Sequence, residues 1–359
     1  MQVNRFLQII IFCATFSIDL CYFCIKINAM EFRTYVPIPK SDIDIHHSTK
    51  MMLFGSCFSE NIGRRLSENK FDVDINPFGI LYNPLSISSA IQRLLQNRTF
   101  SEADLVFRDG LYHSFLYHGS FSHSNKEYCL ENIRSRFSAA ASRIRQIDVF
   151  LITFGTAYVY RLRQTGEMVG NCHKFPSEMF DRYRLTVDDI VAEWSELIAD
   201  LCETNPSMRI VFTVSPIRHW RDGAHENQVS KSILHLAIDQ LIDEFGDNLY
   251  YFPAYEIVMD ELRDYRFYSE DMFHPSETAI DYLWKRFRES FFSPVTEKII
   301  SDWQPIYRSL NHKSLNFETH EYRSFLMQTL AKLEQFKEKY PFISCKKETE
   351  LLLTLLDLV

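Results

Sequence analysis

Met51-Met52-Leu53-Phe54-Gly55-Ser56-Cys57-Phe58-Ser59 is the stretch from which the rest of the chain is read. Four apolar residues in a row, closed by a glycine, predict a strand buried on both faces. Glycine lets the backbone turn sharply. Ser56 and Cys57 follow at the point where a helix begins. A hydroxyl or thiol at the end of a buried strand is a nucleophile held at a sheet's edge.

Outward from this corner, strands and helices alternate. Apolar periodicity predicts helices over 60–69, 86–95, 131–146, 186–204, 227–245 and 278–292. The fourth opens on Thr186-Val187-Asp188-Asp189, a capping-box-like start. Near-continuous apolar runs predict buried strands over 148–154 and 209–214, and 248–252 reads as a further strand. Asp109-Gly110, inside an alternating stretch from Leu105 to His123, predicts a hairpin. Two Asn-Pro steps and Gly79 make 76–84 a loop. This alternation predicts an α/β fold with a central parallel sheet and right-handed crossovers. Reactive groups in such sheets gather at the carboxyl ends of the strands. Here those ends carry Gly55-Ser56-Cys57, Gly155-Thr156-Ala157 and Ser215-Pro216-Ile217-Arg218-His219.

Asp271-Met272-Phe273-His274-Pro275 supplies the other half of a nucleophilic site. An acid three residues before a histidine orients the imidazole and balances its charge, so His274 is the candidate base and Asp271 its partner. Two nucleophiles stay open. Cys57 is the better one at neutral pH, and a helix N-terminus is expected to lower its pKa. Ser56 needs His274 within reach. Amides around Gly55, and at Gly155 and Thr156, are candidate oxyanion donors. Asn171, in Asn171-Cys172-His173-Lys174, is a candidate for positioning a polar group of the substrate. Arg218, His219 and Arg221 are candidates for binding a substrate anion. Cys172 with His173 makes a poor metal site. No metal or bound cofactor is expected.

Composition narrows the partners. Apolar residues make up 46% of 359, which excludes a disordered chain. A net charge of −8 offers no basic footprint, so no nucleic-acid partner is expected. Eight cysteines without framework spacing predict a reduced, cytoplasmic chain. Residues 1–29 carry the alternative. Arg5 before Phe6-Leu7-Gln8-Ile9-Ile10-Ile11-Phe12 looks like the start of a signal peptide, which would make the protein exported or anchored. Asp19 and Lys26 interrupt and close the run, so no stable membrane span is expected, and Met30 reads as the natural start. The predicted organisation is a leader over 1–29, a site-bearing domain over 30–294 and a charged helical extension over 295–359. That extension carries Phe325, Leu326, Leu330, Leu333 and Phe336 at helical spacing.

The corner Gly55-Ser56-Cys57-Phe58-Ser59 resembles the signature of the GSCFA domain family, with Ser59 where the name-giving alanine stands. The likeness continues through Asn76-Pro77-Phe78-Gly79-Ile80, Gly155-Thr156-Ala157-Tyr158-Val159-Tyr160, Asn171-Cys172-His173-Lys174, Ser215-Pro216-Ile217-Arg218-His219 and Asp271-Met272-Phe273-His274-Pro275. That family is similar to the SGNH/GDSL hydrolases, which cleave esters or transfer acyl groups on a flavodoxin-like three-layer α/β/α sandwich. The resemblance implies that Cys57 takes the nucleophile's place, or Ser56 when the block slides by one. It implies Asp271 and His274 as the Asp-x-x-His dyad. The relatives' oxyanion asparagine has no counterpart in Gly155-Thr156-Ala157, and Asn171 is its candidate replacement. The expected function is an ester hydrolase acting on a small acyl ester or acylated saccharide. An acyl-CoA-dependent acyltransferase and a non-catalytic carbohydrate- or acyl-binding module are the alternatives.

Overall fold

The computed structural model of the protein describes residues 33–312 and 319–357; the leader predicted over 1–29 lies outside them. Five strands pair in parallel: β1 (Met51–Gly55), β2 (Val73–Ile75), β3 (Val149–Phe154), β4 (Arg209–Val214) and β5 (Leu249–Tyr251). Their order is β2-β1-β3-β4-β5. In this order the chain leaves β1 toward one edge, then crosses to build the other, so a crevice opens between the ends of β1 and β3.

Residues 51–55, 149–154 and 210–214 are buried, whereas Tyr250 and Tyr251 at the sheet edge are half-buried. Every residue of β1 and β3 is shielded from solvent. The period of two in a strand then splits them between faces. Met52, Phe54, Phe150, Ile152, Phe154, Ile210 and Phe212 join one core with α2 (Pro84–Leu95), α3 (Lys126–Arg143), α4 (Val187–Thr204) and α5 (Gly223–Phe245). In its middle the rings of Phe154, Trp194 and Phe212 lie 5.1–5.4 Å apart. The opposite face is covered by α1 (Cys57–Glu68) and α6 (Glu277–Phe291), with Phe252 between Phe58 and Phe287. Helices on both faces make the three α/β/α layers.

Local signals hold where they are polar and short-range. Thr186 caps α4 in a full capping box. Asp109 and Gly110 both take positive φ, 50° and 80°, and join Val106–Arg108 to Leu111–His113. Helix starts run earlier than the apolar stripes suggest. Ser56 caps α1 four residues before the predicted start, and Asn125 caps α3 six residues before. One element was not predicted: a three-stranded antiparallel sheet in which Tyr158–Leu162 lies between Met168–Val169 and Phe180–Arg184. Its tyrosines and arginines are half-exposed and carry no clean apolar alternation.

At the C-terminal end, α7 (Pro294–Leu310), α8 (His320–Lys339) and α9 (Lys346–Asp357) build a second core around Trp303, Leu326, Leu333, Phe336 and Leu352. It is tied back to α1: Trp303 Nε1 donates to Glu68 O at 2.7 Å, and Lys70 Nζ pairs with Glu348 Oε1 at 2.9 Å. Among the described residues no helix is long and apolar enough to cross a membrane.

Candidate functional site

The end of β1 is shaped by Gly55. It pairs with Thr153 across the sheet at φ +138°, and a Cβ there would stand 2.4 Å from the Thr153 carbonyl oxygen. Asn76 holds the turn, with its Oδ1 accepting from Gly55 N at 3.0 Å and its Nδ2 donating to Glu60 Oε2 at 2.9 Å. Beyond the turn the two candidate nucleophiles part. Ser56 is buried; its Oγ accepts from Phe58 N and donates to Ser215 Oγ at 3.0 Å. Cys57 is half-buried, is the first residue of α1 and lines a cleft of about 570 Å³. Its thiol does not follow the expected direction. Burial raises the pKa, aided by Glu60 and opposed by the residue's own amide, so desolvation outweighs the helix terminus.

His274 lines the same cleft. Its Nδ1 lies 2.6 Å from Asp271 Oδ2, while Asp271 Oδ1 accepts from the amides of Phe273 and His274, each at 2.9 Å. These amides, with the imidazole, hold the Asp271 carboxyl down at about 2. An ionised carboxylate only accepts, so Nδ1 donates to Asp271 and Nε2 is the ring nitrogen left for another partner. The turn passes through Met272 at φ 61°, a left-handed position uncommon for such a side chain. Next to it, Phe273 meets Trp220 at 5.9 Å, linking this loop to the one after β4.

The amides expected to hold an oxyanion are otherwise engaged. Gly155 N and Thr156 N both donate to Tyr82 O, at 2.7 and 2.9 Å, and Gly55 N donates to Asn76. Two other donors lie in the cleft. Cys57 N, at the head of α1, has only its own thiol as partner among the described residues. Asn171 lines the cleft, and its Oδ1 accepts from His173 N at 2.9 Å, which leaves Nδ2 as the outward donor. His219 is also corrected. Burial, helped by the charge of Lys231, lowers it to about 4, so it is neutral near pH 7 and adds no charge for an anion. Arg218 and Arg221 line the cleft, together with Thr156.

The order and spacing of these stretches match a known group. Residues 50–287 match the GSCFA family, and residues 303–357 match the C-terminal domain of GSCFA domain proteins. The chain belongs to the GSCFA family. No curated protein sequence matches it. Among solved structures, a carbohydrate esterase family 3 protein from Talaromyces cellulolyticus is similar at 10% identity and a TM-score of 0.32, over 71% of this chain and 99% of its own. An acetyl xylan esterase, Est2A, from Butyrivibrio proteoclasticus is similar at 12% identity and a TM-score of 0.34, over 71% of this chain and 64% of its own. At that distance neither lends its chemistry to the GSCFA chain.

Sequence reasoning missed two residues of the GSCFA cleft region. Asn83 lines the cleft, and its Oδ1 caps α2 through Ser86 N at 2.8 Å. Lys231, on α5, is fully buried and donates to the carbonyls of Gly155 and Ser215, each at 2.6 Å. It therefore ties together the loops leaving β3 and β4. Burial, with Arg218 nearby, lowers its ammonium to about 7. A signal was present: Lys231 falls on the helix stripe of Leu234, Ile238 and Leu241, the inward one.

Proposed function

We propose that this GSCFA protein is an SGNH-like enzyme that cleaves a small acyl ester, with Cys57 as nucleophile. The observation that carries the reading is one cleft, at the carboxyl ends of β1, β3 and β4, lined by both Cys57 and a His274 held by the Asp271 carboxylate at 2.6 Å. The thiol's raised pKa makes a base necessary, and the imidazole's open Nε2 is suited to that task. His274 takes the Cys57 proton as sulfur attacks the acyl carbonyl. The oxyanion is met by Cys57 N at the positive end of α1 and by Asn171 Nδ2. The tetrahedral adduct collapses, the C–O bond breaks, and the departing alcohol takes the proton from His274. The thioester left on Cys57 is hydrolysed by a water that His274 deprotonates, which releases the acid and restores the thiol. Ser56 serves as cap and positioning residue, since both sides of its hydroxyl are used within the protein.

The test is a panel of short-chain para-nitrophenyl esters with wild type, Cys57→Ala, Ser56→Ala and His274→Ala. The expected result is burst release of nitrophenol and an acyl adduct on Cys57 by intact mass. Full turnover in Cys57→Ala or in His274→Ala ends the reading.

A further inference from the structure

Three guanidinium groups line the cleft, and they are not equivalent. Arg182 is neutralised by Asp222 at 2.5 Å and lies 4.1 Å over the Tyr158 ring. Arg221 is exposed and donates to the Tyr160 hydroxyl. Arg218 is half-buried, and its contact is the thioether of Met259 at 3.4 Å, an acceptor with no charge. No carboxylate among the described residues pairs with it. Lys231, near Arg218, is buried and donates to the carbonyls of Gly155 and Ser215. Arg218 thus lines the cleft without a carboxylate partner among the described residues.

A charge half-removed from water without a counter-ion is costly, and an anion brought by the ligand relieves that cost. Resting on the ester-cleaving reading of this cleft, we propose that the substrate is an ester that carries a carboxylate, and that Arg218 holds that carboxylate. The geometry of the half-buried guanidinium favours a carboxylate over a phosphate. Arg218 offers one planar fork, which matches one carboxylate in a two-bond contact. Arg182 is already spent on Asp222 and Arg221 is exposed to solvent, so a dianion or a pyrophosphate would find one half-buried, unpaired guanidinium only. Position agrees: Ser215, three residues before Arg218, accepts from Ser56 at the nucleophile corner. The carboxylate and the reacting carbonyl therefore belong to one small molecule.

Kinetics on two matched pairs test this. Para-nitrophenyl acetate against mono-para-nitrophenyl succinate varies charge on the acyl side. Methyl para-acetoxybenzoate against para-acetoxybenzoate varies it on the alcohol side. Wild type is expected to prefer the anionic member of at least one pair by about tenfold in kcat/KM, equivalent to about 1.4 kcal/mol. The ratio is the readout, whatever the absolute rates. It falls to near one in Arg218→Gln and is partly kept in Arg218→Lys, which retains charge without the fork. Preference for the neutral member in both pairs, or a preference that survives Arg218→Gln, overturns the proposal. If none of the four esters is cleaved, calorimetric titration with benzoate and benzamide decides. Benzoate binding that Arg218→Gln abolishes keeps the carboxylate site and sinks the ester-cleaving reading, whereas benzoate binding no tighter than benzamide sinks the carboxylate site. Equal cleavage of all four esters sinks the carboxylate site and keeps the ester-cleaving reading.

Discussion

Replacing Lys231 by Met removes a cation that stands wholly out of water on α5 and leaves a side chain of similar length. Burial lowers the folded-state ammonium from 10.5 to about 7. Between those values the unfolded chain binds more protons than the folded one, so the folded state gains stability as pH rises. Near pH 7 the folded lysine is half protonated and the unfolded one fully so. Near pH 9 the folded lysine has lost its proton and the unfolded one has kept it. Integrated over that interval, this one group adds about 2 kcal/mol to wild type. Met has no such term, and all other titrating groups are common to both proteins. The neutral amine still has an N–H for each of the Gly155 and Ser215 carbonyls, so the contacts survive deprotonation. Losing those donors in the variant adds an offset of about 1–3 kcal/mol per carbonyl, constant with pH. Urea unfolding of both proteins at about pH 7, 8 and 9 reads the difference. It is expected to widen in favour of wild type by about 2 kcal/mol across the range. Parallel pH dependence in the two proteins would show that Lys231 does not titrate there and would refute the argument.

Ser56→Ala is expected to cost about 1 kcal/mol in urea unfolding, because α1 loses its cap, while its ester turnover falls far less than that of Cys57→Ala. His274→Ala is expected to lower kcat/KM for an activated ester by about a hundred- to ten-thousand-fold, the usual worth of a general base. Asp271→Asn should flatten one limb of the acid stability curve. The native carboxyl sits at about 2 rather than 3.8, so its contribution is full above 3.8 and lost as pH falls toward 2, and melting followed by circular dichroism through that window checks it. Gly155→Ala places a Cβ 2.9 Å from the Tyr82 carbonyl oxygen and 3.5 Å from His219 Nε2, so a loss of about 1–3 kcal/mol by urea unfolding is expected.

Much of the architecture was legible because it is written in short-range chemistry. The apolar run at 149–154 has nowhere to lie but inside a covered sheet, and Thr186 with Asp189 closes a capping box within four residues. The strand ends at Gly55, Gly155 and Ser215 follow from the alternation alone, and all three come together around one cleft or its supports. The small antiparallel sheet at 158–184 was hidden because strands that bury only part of each residue leave no apolar rhythm. The amides were misjudged for a different reason. A tight glycine turn looks like a row of donors, but whether they are occupied depends on Tyr82, more than seventy residues away in the chain.

By itself, then, the order of residues determined the layered α/β frame, the acid–histidine pair and the corner that bears Ser56 and Cys57, because each depends on neighbours within a few positions. Only the tertiary structure decided which of these groups is buried and what it touches. It gave the serine hydroxyl to Ser215, raised the thiol by desolvation, silenced His219, and buried Lys231 against the Gly155 and Ser215 carbonyls with no acid paired to it among the described residues. Desolvation and hydrogen bonding across the sheet are properties of distances between remote segments, and no local pattern of side chains encodes them.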